Sequence, residues 1–162
     1  MTIKNLQLSM FLFLLIIPIS AFGQTEMNDP FDLTLKNGLN KDVNILIEFG
    51  QDGGFQAFID SLNVNPIYTE WKASNSGLSE NDMLPTFLSK IINELNGKAK
   101  YSTDYPVSYT PIPGTTGSIM ANSTTIFLNI YYEGRNELGN LIQDRMSCYS
   151  RASGGDIKSD CW

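Results

Sequence analysis

Residues 124–132, TTIFLNIYY, decide the fold. Ile126, Leu128, Ile130 and Tyr132 alternate with Phe127 and Tyr131, and a period of two is the spacing of a strand. Apolar residues on both faces predict a central place in a sheet. Upstream, residues 43–49 (VNILIEF) set Val43, Ile45, Ile47 and Phe49 against Asn44, Leu46 and Glu48, a strand with one buried face. Residues 66–72 (PIYTEWK) read as a further strand, and the polar stretch 25–40 as an entry arm holding a short one. Between 43–49 and the next apolar run, Gly50-Gln51-Asp52-Gly53-Gly54 reads as a strand-to-helix turn.

Three other segments carry helical spacing. Phe55, Phe58, Ile59 and Leu62 form a short stripe. Leu84, Phe87, Leu88, Ile91, Ile92 and Leu95 form a longer one, with Asp82 as the expected N-cap, Pro85 in the first turn and Gly97 at C′. Leu138, Leu141, Ile142, Met146 and Tyr149 predict a third helix over 136–149. The expected architecture is α+β, about three helices packed on a small mixed sheet, in a single domain covering 24–162.

Residues 1–23 read as an export signal. Lys4 precedes the apolar run MFLFLLII (10–17), and Ala21 and Gly23 are the small residues a signal peptidase reads. The run is too short and interrupted for a span of about 20 apolar residues, so no membrane span is expected after cleavage at Gln24. The reading places the chain outside the cytoplasm, secreted or periplasmic. Cys148 and Cys161, the only cysteines, are then expected to pair as a disulfide.

Composition excludes several chemistries. The chain holds 17 acidic and 11 basic residues, a net charge of −6; loss of Lys4 leaves 10 basic residues and −7. Such a charge disfavours nucleic acid as a partner. Histidine is absent, which removes Ser-His and Cys-His nucleophiles and His-ligated metal sites. No cofactor and no metal ligands are expected.

Two resemblances remain. A strand 124–132 followed by a helix reading LIQDRMSC (141–148) resembles the core of zincin metallopeptidases, whose helix carries HExxH. Gln143 and Ser147 stand where that family has histidines, and Asp144 where it has glutamate. The resemblance implies a zincin-like fold that has lost its zinc and its peptidase activity. Asp60 followed by Glu70-x-Lys72 on a strand resembles the Mg²⁺-binding core of PD-(D/E)xK nucleases. Asp60, Glu70, Lys72 and Asp144 are therefore the candidate catalytic residues of a carboxylate-dependent hydrolase, nuclease-like or glycosidase-like.

The favoured expectation is a non-catalytic binding domain for a protein or carbohydrate partner. Tyr101, Tyr105, Tyr109, Tyr131, Tyr132 and Tyr149 make the second half tyrosine-rich, and tyrosine presents a flat apolar ring with a polar tip. A deep pocket lined by acids would point to the hydrolase, and a shallow patch of tyrosines to the binder.

Overall fold

The computed structural model describes residues 27–153 and 155–162. The export signal and the expected start at Gln24 lie outside them. The described chain runs β1 (Phe31–Lys36), β2 (Asp42–Phe49), α1 (Gly54–Asn63), α2 (Pro66–Ser74), α3 (Glu80–Tyr101), a 3-10 turn (Pro106–Ser108), β3 (Thr110–Pro111), β4 (Thr116–Ala121), β5 (Thr125–Arg135), β6 (Leu141–Ser153) and β7 (Asp156–Cys161). The fold is α+β, three helices packed with a mixed sheet of seven strands. Strand order is β1-β2-β4-β5-β6-β7, with the short β3 also pairing β5.

The topology follows from the connections. β1 and β2 form an antiparallel hairpin, closed by Asn37, whose Oδ1 accepts from the N–H groups of Leu39 and Lys41 at 2.9 Å. β2 and β4 are parallel, and parallel neighbours require a long crossover, which α1 to α3 supply. β4 to β7 then run as an antiparallel meander. β5 sits inside the sheet with Ile126, Leu128 and Ile130 buried against the helix layer, as the period of two predicts. Among the described residues no helix is long and apolar enough to cross a membrane.

Among the described residues, the helices cover one face of the sheet. Leu35, Ile45, Ile47, Phe49, Ile119 and Leu128 meet Phe58, Leu62, Phe87, Ile91, Ile92 and Leu95 from α1 and α3 in one core. Two buried amides fasten the layers. Asn96 on α3 donates to the Lys36 carbonyl at 2.9 Å and accepts the Tyr109 hydroxyl proton at 2.9 Å. Asn65 donates to the Asn122 carbonyl at 2.8 Å while its Oδ1 accepts from the Ile67 N–H at 2.9 Å.

That second amide explains a departure from the sequence reading. Residues 66–72 are not a strand but most of α2. Asn65 caps it, and Pro66 occupies N1, where a missing N–H costs nothing. Ile67, Tyr68 and Trp71 then face the core, a helical rather than an alternating set.

The second departure is larger. Residues 136–149 are not a helix: 136–140 form a hairpin turn and the rest belongs to β6. Asn136 Oδ1 accepts from the Leu138 and Asn140 N–H groups, and Gly139 takes φ +78°, a left-handed conformation that glycine adopts freely. β6 pairs β5 over eleven consecutive residues, Leu141 to Arg151. The buried set is Met146, Cys148 and Ser150, at a period of two, while Leu138 is 83% exposed. α3 also differs at its ends. Ser79, not Asp82, is the N-cap, accepting from the Asp82 N–H at 3.2 Å. The helix runs through Gly97 to Tyr101, and Pro85 lies inside it beyond the first turn.

Candidate functional site

The carboxylates singled out by the sequence do not assemble. Asp60 is exposed on α1 and accepts from Gln56 Nε2 at 2.8 Å. Glu70 and Lys72 lie two apart on α2, about 200° around a helix, so they project to different sides. Lys72 Nζ lies 3.4 Å from Glu80 Oε2. Asp144 is exposed on β6, where its Oδ1 accepts from the Arg145 N–H at 2.7 Å. Gln143 and Ser147, expected one turn apart on a helix, are four apart on a strand, roughly 13 Å along the chain. Gln143 Nε2 donates to Glu133 Oε2 at 3.2 Å, and Ser147 Oγ donates to Asn129 Oδ1 at 2.7 Å. The helix that carried the zincin resemblance is thus replaced by a paired strand. No group of three or more Cys, Asp or Glu placed to hold a metal ion occurs among the described residues.

The cysteines do come together. Cys148 and Cys161 face each other across β6 and β7 and are disulfide-bonded. The bridge joins the C-terminal strand to a strand, not to the helix expected at 136–149.

The six tyrosines do not form one patch: Tyr101 and Tyr105 are exposed at the end of α3 and before the 3-10 turn. Tyr109 and Tyr132 are buried, stacked with ring centroids 5.5 Å apart. Burial pushes both phenols above their usual value; the Tyr109–Tyr132 proximity adds to it for Tyr109, and Asp144 and Asp104 add to it for Tyr132. Tyr131 and Tyr149 instead lie on the face that no helix covers.

That face is a lattice set by register. Met120 pairs with Phe127, Phe127 with Tyr149, and Tyr149 with Asp160 in one row across four strands. In the next row Ser118, Asn129 and Ser147 are joined by side-chain hydrogen bonds of 3.2 and 2.7 Å, and Ser147 exchanges two backbone bonds of 3.0 Å with Trp162. The third row pairs Tyr131 with Arg145. The Tyr149 and Trp162 rings lie 5.6 Å apart, and Trp162 is 67% exposed.

Comparison with family models, with curated proteins and with solved structures finds no match to this chain. Chemistry alone therefore has to speak for the face.

Its arginines are the feature that sequence reading missed, on a face that also carries Glu133, Lys158 and Asp160. The chain has three arginines, Arg135, Arg145 and Arg151. All three sit at outward positions of β5 and β6, in phase with Tyr131 and Tyr149, and all are exposed. None is in a salt bridge among the described residues, whereas Lys36, Lys72 and Lys90 each are. The signal was available: three arginines within 17 positions, on odd numbers shared with Phe127, Tyr131 and Tyr149. It reads as one face only once 141–153 is a strand.

A separate recess of about 440 Å³ opens between β1 and the start of α3, lined by Met27, Phe31, Asp32, Tyr68, Glu80 and Leu84 among others. It holds two acids, the feature named above for a hydrolase. Both are exposed, and the Glu80 side chain is 76% accessible and lies beside Lys72. A general acid for glycoside hydrolysis is held protonated by an apolar, desolvated surrounding, which neither carboxylate has.

Proposed function

We propose that the protein is an exported, non-catalytic binding module that engages an acidic partner protein through the helix-free face of its sheet. The observation that carries this reading is the gathering of every arginine with Phe127, Tyr131, Tyr149 and Trp162 on that face of a chain with net negative charge. Tyr, Trp and Arg dominate the energetics of protein interfaces, because each adds a large rigid contact area with a polar handle. Arginines without an ion-pair partner lose little on meeting a carboxylate, and each offers a planar fork that matches it. The hydrogen-bonded row Ser118–Asn129–Ser147 ties β4, β5 and β6 together between the rows that carry the rings.

The test is retention of partner proteins from the chain's own compartment on the immobilised protein. The expected result is a partner held by the wild type, released as salt is raised from about 0.05 to about 0.5 M, and not held by the R145E/R151E variant. Equal retention by wild type and variant would overturn the proposal. A polysaccharide eluting instead of a protein would contradict the choice of partner.

A further inference from the structure

The recess between β1 and α3 has features that the sheet face does not share. Tyr68 is 3% exposed, yet its hydroxyl has no hydrogen-bond partner among the described residues. No sealed side-chain N or O atom among the described residues lacks a partner, and Tyr68 is one of the residues that line the recess. Burial raises the Tyr68 phenol above its usual value and the Glu80 charge raises it further. The phenol therefore stays protonated throughout the physiological range and can accept a hydrogen bond on oxygen while donating its proton to a carboxylate.

Around this hydroxyl the walls are of two kinds. Phe31 and Leu84 are buried apolar lining and Pro85 is exposed apolar lining; Asp32 and Glu80 supply two exposed negative charges. Lys72 is the one cation paired with these acids among the described residues, and it reaches Glu80 at 3.4 Å. The volume, about 440 Å³, lies in the range of small-molecule sites.

We propose that this recess binds a small organic ammonium, a primary amine carried on an aryl or alkyl body. The ammonium sits between Asp32 and Glu80 and donates to the Tyr68 oxygen, while the body packs on Phe31 and Leu84. An anion is repelled by both carboxylates. A neutral apolar molecule leaves the Tyr68 hydroxyl and the acids unserved, and unmatched polar groups are what a polar site uses to reject the wrong ligand.

The probe is phenethylammonium, with phenethyl alcohol as its neutral counterpart, titrated into the chain from Gln24 onward and followed by protein-observed NMR. The alcohol is expected to bind at least about tenfold more weakly than the ammonium. D32N/E80Q, which changes two exposed groups and should leave the fold intact, is expected to weaken the ammonium by about tenfold or more and to leave the alcohol unchanged. Y68F should weaken the ammonium by several-fold. The sheet-face variant R145E/R151E should leave all of these titrations unchanged, so failure here and failure of the binding-face proposal are separable. No ammonium binding at millimolar concentration, equal binding of the alcohol, or no effect of D32N/E80Q would each overturn the proposal. So would ammonium binding seen only after residues 24–26 are removed, which would assign the recess to the chain's own segment.

Discussion

Cys148 and Cys161 stand directly opposite each other on β6 and β7, with Cα atoms 4.1 Å apart and the bridge turned toward α3. Their neighbours Tyr149 and Trp162 meet on the other face. The bridge thus holds, from behind, the strand pair that presents two aromatic rings of the proposed binding surface. A separation of 13 closes a loop of about 14 residues, and the chain-entropy account gives about 3 kcal/mol for it. The C148A/C161A variant is expected to lose stability of that order in urea denaturation, and Trp162 fluorescence anisotropy to fall before global unfolding. An unchanged midpoint would show that the sheet alone fixes β7.

Asn96 is the polar pivot between α3, β1 and the segment before β3. Its replacement by alanine leaves the buried Tyr109 hydroxyl without its partner and removes the part-buried bond to the Lys36 carbonyl. Each orphaned group costs about 1–3 kcal/mol, so N96A is expected to lose about 3 kcal/mol and Y109F less. The two substitutions should be non-additive in a double-mutant cycle, because they share one hydrogen bond. Additive effects would remove the link.

Alkaline pH supplies a probe of Tyr109 and Tyr132, and of Tyr68 at the recess. The Tyr68, Tyr109 and Tyr132 phenols are all raised in the folded state, chiefly by burial. A raised folded value means the contribution is fully present below the unfolded value, about 10, and is lost as pH rises above it through the folded values. Stability in urea should therefore be insensitive to these tyrosines below pH about 10 and fall steeply above it. Y109F should flatten that fall. A titration at 295 nm that shows all tyrosines ionising together near their usual value, without unfolding, would contradict this.

Gly97 and Gly117 should respond to alanine with opposite signs. Gly97 lies inside α3 with open space around a built Cβ, so G97A is expected to stabilise by about 0.5–1 kcal/mol. Were Gly97 a left-handed C′ residue, the same change would destabilise. At Gly117 a Cβ would come 2.7 Å from the Asn129 carbonyl oxygen and 2.9 Å from Ile47 Cδ1, between β2 and β5. G117A is therefore expected to destabilise by about 1–3 kcal/mol, through overpacking. Thermal denaturation of the pair checks both.

What was legible in the sequence was the burial pattern of elements whose period is unambiguous. The alternation of Val43 to Phe49 and of Ile126 to Tyr132, and the long stripe of α3, all correspond to buried faces. The failures fell where two periods coincide. Leu138, Leu141, Ile142, Met146 and Tyr149 satisfy a helical spacing, but the hydrogen-bonding demand of β5, with eleven residues to pair, made the segment a strand. The turn residues Asn136 and Gly139 were the local sign of it. At 66–72 the aromatic and β-branched content suggested a strand, while Asn65-Pro66 carried the helix start that decided the matter. The proposed binding face was hidden by the first of these errors, since Arg145 and Arg151, six apart, share a strand face but not a helix face. The recess depends on Phe31, Tyr68 and Glu80, far apart in the chain and joined only by packing.

The central claim, that the helix-free face meets a protein partner, is tested most directly by site-specific photocrosslinking in the chain's own compartment. A photoreactive residue is placed at Tyr131, on the face beside Arg145, and in parallel at Lys90, exposed on α3. The account predicts a discrete crosslinked protein from position 131 that disappears in R145E/R151E, and none from position 90. Equal crosslinking from both positions, or a product from 131 that survives the loss of both arginines, would contradict it.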